Sequence, residues 1–400
     1  MSDRQSGRPT SAKAYLAASG VFAVCMAGTT LPTPLYSLYQ EELGFSELVV
    51  TVVFAVYAFA VIGVLLAVGN VSDTVGRRPV LLAGLGFAAL SAFCFLFEGG
   101  VPLLCLGRLM SGLSAGLFTG TATAYVLELA PAGREGRAAF AATAANMGGL
   151  GLGPLLSGIL AEYAPDPLVL PFVVHLVMVA VAAGVLLALP ESVAGAKGLS
   201  AARVKAPSLP PEVRGVFVPA GVASFAGFAL LGVFTAVSPA FLAQTLDVHN
   251  RALIGLIVFA TFLASTGGQL AAGSLGARRA LPLGCAVLLV GLVLLGGALL
   301  AELLALLVLS ALVGGSGQGL ALRGSVGAVA AAAPAEHRAG SISSLFVVAY
   351  TGISIPVIGV GVLSEPVGLE DAGVVFIVCM ALLTVFAGLY LLRRPVPGRQ

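Results

Sequence analysis

Charged side chains are scarce in this chain: Lys, Arg, Asp and Glu supply 10% of its 400 residues, 58% are hydrophobic, and the mean hydropathy is +1.05. A soluble domain needs a charge-rich surface, so that class is excluded and lipid is the solvent for most of the chain. Cysteine is sparse as well. Cys25, Cys94, Cys105, Cys285 and Cys379 sit inside apolar runs without a C-x-x-C spacing, which suggests neither a metal site nor a disulfide framework. No Gly-x-x-x-x-Gly-Lys-[Ser/Thr] loop is present, so an ATP-driven pump would need a second chain. Paired carboxylates, a histidine cluster and a nucleophile beside its base are also missing at workable spacing. Neither an enzyme, a cofactor nor a metal is expected, and a net charge of +2 is too small to imply a nucleic-acid partner.

What remains is a series of long apolar runs. A spanning helix needs about 20 apolar residues to cross roughly 30 Å of hydrocarbon, and twelve such runs are present: residues 14 to 36, 48 to 68, 79 to 98, 101 to 127, 138 to 161, 168 to 190, 216 to 243, 252 to 273, 280 to 301, 303 to 330, 340 to 362 and 372 to 392. Alternating strands of about ten residues, which a membrane β-barrel requires, are not seen. The first run follows Arg4, Arg8 and Lys13 and is too long for a typical signal-peptide core, so it reads as helix 1. The expected class is all-α and integral to the membrane.

Charge placement sets an orientation. Seventeen of the 20 Lys and Arg residues lie at the two termini and in the even-numbered connections: Arg77/Arg78, Arg134/Arg137, Lys197 to Arg214, Arg278/Arg279 and Arg338. The odd-numbered connections hold one, Arg251, and most of the acids. The positive-inside rule then places both termini in the cytoplasm, consistent only with an even number of spans, and makes this a multi-pass protein of the inner (plasma) membrane.

The two halves are alike. Thr33 to Ala55 overlays Ser238 to Ala260 at a constant offset of 205, so that Pro34 meets Pro239. Ala130-Pro131-Ala132 likewise meets Ala333-Pro334-Ala335, and Pro154 roughly meets Pro356. The longest polar interval, Glu191 to Arg214, separates them as a linker. The chain therefore divides into an N-terminal bundle (1–192), a cytoplasmic linker (193–214) and a C-terminal bundle (215–400). A parallel repeat of this kind places a substrate site between two pseudo-symmetric six-helix bundles near the midplane.

Between spans two and three, Gly69-Asn-Val-Ser-Asp73-Thr-Val-Gly76-Arg77-Arg78-Pro79 closely resembles the G-x-x-x-D-x-x-G-R-[RK] signature of the major facilitator superfamily. Span four carries Arg108-Leu-Met-Ser-Gly112, similar to the family's R-x-x-x-G pattern. Span five carries Gly149-Leu-Gly-Leu-Gly153-Pro154-Leu-Leu-Ser157-Gly158, which resembles the antiporter motif G-x-x-x-G-P-x-x-G-G of the twelve-helix drug/proton antiporter branch, with Ser157 in place of one glycine. In the second half no aspartate accompanies Arg278 and Arg279, so the loop signature has decayed there.

The resemblance implies a conformational switch. Asp73 would sit against the start of helix 11 near Gly340 in the outward-open state, and Arg77 would pair with Glu128 at the inner end of helix 4. It also implies a cavity lined by helices 1, 4, 7 and 10. Their candidate residues are Thr30, Thr33, Tyr36 and Tyr39; Arg108, Thr119 and Thr123; Phe234 and Ser238; and Gln318 and Arg323. A proton-driven exchanger needs a group that changes charge inside the membrane, yet no carboxylate lies in mid-span. His175 is the deeply placed titratable group of suitable pKa, and the resemblance implies that Arg108 tunes a nearby proton carrier. The function implied is proton-coupled export of a small, largely apolar or cationic molecule by a monomer, with uptake of a sugar or organic acid as the competing reading.

Overall fold

The structure, a computed structural model, describes residues 11–68, 71–97, 99–193, 209–334 and 337–393. Among the described residues every regular element is helical, and twelve segments are long and apolar enough to cross a bilayer. The first runs as α1 (Ala12–Thr30), a 3-10 turn (Thr33–Leu35) and α2 (Tyr36–Leu43). It is followed by α3 (Glu47–Val68), a short α4 (Val71–Val75), α5 (Arg77–Leu96), α6 (Gly100–Glu128), α7 (Glu135–Tyr163) and α8 (Leu170–Ala188). The seventh span is α9 (Pro211–Ala236) continued by α10 (Ser238–Gln244). The last five are α11 (Arg251–Leu275), α12 (Ala277–Ala301), α13 (Leu304–Ala332), α14 (Arg338–Val367) and α15 (Leu369–Arg393).

Several helices outrun their apolar windows, α7 by starting at Glu135 and ending at Tyr163, because polar helix ends can bond in the headgroup layer. Pro211 to Arg214, which the sequence assigns to the linker, form the first turn of α9 instead. Pro211 is at home there, since the first helical position has no partner for an N–H. Residues 194–208 of the linker, Gly69 and Ala335 lie outside the described residues.

The pairing of helices repeats. α5 packs on α6 as α12 does on α13, α3 on α6 as α11 does on α13, α1 on α7 as α9 does on α14, and α5 on α8 as α12 does on α15. The cross-half contacts obey the same exchange, α3 against α14 and α7 against α11. This is a pseudo-two-fold pair of six-helix bundles. Both first spans break at corresponding prolines, at Thr33–Leu35 around Pro34 and at Val237 before Pro239. Large apolar side chains face outward in stripes, such as Val173, Val177 and Val181 on α8 and Leu382, Phe386 and Leu389 on α15. In water these would be aggregation sites, and here they are the lipid face.

Because lipid tails are as apolar as leucine, helices associate in a membrane through close packing rather than through the hydrophobic effect. α7 shows how its sequence achieves this. A Cβ on Gly149 or Gly153 would overlap the carbonyls of Ala23 or Ala27 in α1, and one on Gly158 would overlap the Arg251 carbonyl in α11. Pro154 lacks an N–H and so leaves the Leu150 carbonyl without its helical donor. Thr30 fills the gap, its hydroxyl donating to that oxygen at 2.6 Å. The antiporter-like motif thus welds α7 to α1 on one face and to α11 on the other. Gly153→Val is expected to push α7 off α1, costing about 1–3 kcal/mol or more by overpacking, seen as a lower melting temperature of the purified protein in detergent; an unchanged Tm would refute this account of the contact.

Candidate functional site

The two cross-half helix pairs touch along only part of their length. α3 and α14 are in contact where Gly361 meets Thr51 and where the rings of Tyr57 and Tyr350 lie 6.5 Å apart. α7 and α11 are in contact at Gly158 with Arg251, Gly255 with Pro154, and Gly151 with Phe259 and Phe262. Beyond those points the pairs diverge and enclose a vestibule of about 540 Å³. Its wall runs from Asn146, Met147 and Gln269 down to Asp73, Arg77, Arg323 and Ile342. Asp73 and Arg323 are solvent-exposed, so the vestibule opens at the end of the bundle that carries the even connections.

A second chamber of about 40 Å³ lies deeper, sharing Thr119, Asn146, Met147 and Phe346 with the vestibule wall. Arg108 lines it at 1% exposure. Its position follows from its neighbours in sequence. Gly112, one turn along α6, has room for no Cβ against the Tyr57 carbonyl and Ala60, and Gly116, two turns along, meets Val64. These small residues draw α6 onto α3, which puts the Tyr57 and Phe54 rings 4.6 and 5.4 Å from the guanidinium carbon, within cation–π range. Nη1 donates to the Thr29 carbonyl at 2.5 Å, and Nε is buried without a hydrogen-bond partner.

At the open end the loop signature builds one polar cluster. Gly76 sits at φ +110°, a conformation open to glycine, and a Cβ there would strike the Glu191 carboxylate. That carboxylate accepts from the backbone N–H groups of Arg77 and Arg78, both at 2.9 Å, at the start of α5. An anion at the positive end of a helix is stabilised by the dipole and by otherwise orphaned donors. The Arg77 side chain forks onto Glu128 at 3.2 and 2.8 Å, while its Nη1 reaches Asp73 and the Ser72 hydroxyl, both at 2.6 Å. Ser192 donates to Glu128 at 2.5 Å, and the Tyr125 hydroxyl to the Pro190 carbonyl at 2.6 Å. The α3–α5 turn is thereby tied to the ends of α6 and α8, all within one half. Asp73 faces the vestibule, with Ile342 and Ser343 of α14 also on its wall.

The opposite end is closed by bonds across the halves. Glu162 accepts from the Arg251 backbone N–H at 2.9 Å, and its carboxylate lies 3.7 Å from the Arg251 guanidinium. Asn250 donates to the Tyr163 hydroxyl at 3.3 Å. Glu47 accepts from Gln40 of its own half at 3.1 Å and from Gln244 of the other at 3.0 Å.

Of the cavity candidates read from sequence, Arg108 and Thr119 line the chamber, and Thr119, Thr123 and Arg323 line the vestibule. Thr30 also reaches the chamber. The others lie elsewhere. Thr33, Tyr36 and Tyr39 are buried toward the closed end, Phe234 is in the apolar core, and Ser238 lines a separate apolar pocket of about 20 Å³ within the second half. Gln318 is buried and accepts from Ser265 at 2.6 Å. His175 faces away from the path, with Nε2 3.1 Å from the Val24 carbonyl and its ring against Gly28. With Cys25, Thr29, Ser91, Ser111 and Ser114 it lines a small polar void behind α1. Residues that sequence reasoning missed come from α3, α7, α11 and α14: Tyr57, Asn146, Met147, Gln269, Phe346 and Tyr350. Asn146 and Gln269, isolated amides inside apolar runs, carry a usable signal.

Residues 18–249 match the model of the family described as Major Facilitator Superfamily. The chain belongs to this superfamily. Its structure is the superfamily's all-helical fold. Relatives include an uncharacterized MFS-type transporter of Methanocaldococcus jannaschii, 28% identical over 34% of this chain and 36% of that protein. The quinolone resistance protein NorA of Staphylococcus aureus is 24% identical over 34% and 35%, and a class D tetracycline resistance protein of Salmonella ordonez 32% identical over 38% of each. The matched region spans a little over a third of the length of these curated relatives. Among solved structures, a POT family transporter in complex with 5-aminolevulinic acid superposes with a TM-score of 0.73 at 13% identity, covering 95% of this chain and 96% of that one.

The cap on α5 makes a prediction of its own. Glu191→Gln removes the anion from the helix start and is expected to lower stability by about 1 kcal/mol, read as a fall in Tm; a variant as stable as the parent would show that the carboxylate is not holding the turn.

Proposed function

We propose that this transporter exports a small organic molecule with a largely apolar body across the inner membrane, in exchange for protons, by rocking of its two halves about the α3–α14 and α7–α11 contacts. The observation that carries this reading is the vestibule, which lies between the halves, opens at one end, is sealed by hydrogen bonds at the other, and narrows onto a buried cation. The Lys and Arg bias puts the open end in the cytoplasm, which makes this the inward-facing state. Export is favoured by the α7 motif that forms half of the cross-half contact and by the resistance proteins among the relatives.

In the outward-facing state the vestibule must close. Asp73, exposed here and facing the same space as Ile342 and Ser343, is placed to meet the first turn of α14, where the helix dipole favours a carboxylate. Gly69, Gly76, Arg77, Arg78 and Glu128 complete this switch. Proton exchange is assigned to His175. It lies behind α1 rather than in the path, touching the Val24 carbonyl, and the Thr29 carbonyl five residues on holds Arg108, so coupling would act through this stretch of α1, a change in the ring's charge shifting the segment that holds the central cation. The groups facing His175 are Cys25, Thr29, Ser91, Ser111 and Ser114, none of them charged.

Three outcomes test the proposal. A quinolone or a tetracycline should accumulate in inverted vesicles whose interior is acidic, so that protons run outward as the drug enters, and not in right-side-out ones, with a protease tag in the linker cleaved only in the inverted preparation; uptake in right-side-out vesicles would mean import. Asp73→Asn should cut that accumulation about tenfold while membrane insertion, which depends on hydropathy and Lys/Arg bias, stays intact; full transport by the variant would remove the switch role. His175→Gln should flatten the pH dependence of transport, and an unaltered profile excludes this histidine as the proton carrier.

A further inference from the structure

The path between the halves carries two arginines, Arg323 and Arg108, that no carboxylate among the described residues pairs with. Asp73 is engaged by Arg77 at 2.6 Å, and Arg77 is shared with Glu128. Arg323 lines the vestibule and takes part in no ion pair among the described residues. Arg108, deeper, also has no carboxylate on it among the described residues. A guanidinium offers five N–H donors in a planar fork suited to a carboxylate. At Arg108 one nitrogen is spent on the Thr29 carbonyl, and the Tyr57 and Phe54 rings steady the charge through their faces, yet Nε is left buried with nothing to donate to. A buried charge without a partner is costly, and a partner that arrives recovers much of that cost.

We infer that the ligand brings the partner: the transported molecule is an organic monoanion whose carboxylate, or an equivalent oxyanion head, pairs with Arg108. This rests on the vestibule and chamber being the transport path. The chamber, about 40 Å³, has room for a head group, and the adjoining vestibule of about 540 Å³ holds the body among Met147, Leu322, Val326 and Phe346. Asn146, in both walls, adds an amide that can donate or accept. A cationic ligand, which the sequence left open, would face Arg323 and then Arg108, and the carboxylate on the vestibule wall, Asp73, is already engaged by Arg77.

The test compares naphthoate, naphthylmethylammonium and naphthylmethanol, which share one apolar body and differ in head charge. Their equilibrium binding is measured by titration calorimetry on the full chain in lipid nanodiscs. Naphthoate should bind at least about tenfold tighter than the other two, Arg108→Gln should abolish that preference, and Arg108→Lys should restore part of it. The inference is overturned if the wild type binds the cation or the alcohol as tightly as naphthoate, if naphthoate binds more weakly than about 1 mM, or if the preference survives Arg108→Gln. Should Arg108→Gln not fold, the wild-type preference and its reduction in Arg108→Lys decide the matter. Binding is read without a gradient, so a failure of export or of proton coupling leaves this measurement untouched, and a failure here leaves the vesicle result standing.

Discussion

Close backbone approach is the constraint on which this molecule rests. In lipid, no water is released when helices meet, so stability comes from contact distance and from satisfying every backbone group. The glycines of α6, α7 and α13 act on that term. Gly112 and Gly116 bring α6 onto α3, Gly149 and Gly153 bring α7 onto α1, and Gly315 and Gly319 bring α13 against the Thr261 and Ser265 carbonyls of α11. Where proline opens the ladder, a hydroxyl closes it, as Thr30 does for Leu150.

These contacts also decide which parts can move. Within each half, helices are joined along their length, and at the open end Arg77, Glu128, Glu191 and Ser192 tie three helix ends into one body. Between the halves, α3 meets α14 and α7 meets α11. Two bodies that share two pseudo-symmetric seams suit the proposed motion, a rocking about those seams. Under the proposed rocking, closing the vestibule at one end would part the bonds of Glu47, Glu162, Asn250 and Gln244 at the other.

The spans, their number and the repeat were legible because hydropathy and charge bias act over twenty residues at a time. The signature loop was legible because glycine and aspartate spacing is specific. The lining of the path was less so. Helices that are apolar all round give no periodic signal for which face turns inward, so Tyr57, Met147 and Phe346 do not stand out in the sequence, while Phe234 and Gln318, taken as lining from their helix number, lie in the packed interior. Glu191 escaped notice because its role needs the end of α8 to lie beside the start of α5, a meeting between residues more than a hundred positions apart.

Scarcity gives each intramembrane charge its meaning. Coulomb interactions are stronger in a low-dielectric interior, and an unmatched charge there is a standing cost. At the ends of the spans this protein settles that cost internally, Arg77 with Asp73 and Glu128, Arg251 with Glu162. In the middle it does not: Arg108 has a carbonyl and two aromatic rings but no counter-ion among the described residues. If the ligand brings the counter-ion, as inferred above, the guanidinium that is unpaired in the empty chamber favours the filled one, and because residues of both halves line that chamber, occupancy would bias the equilibrium between the carrier's states.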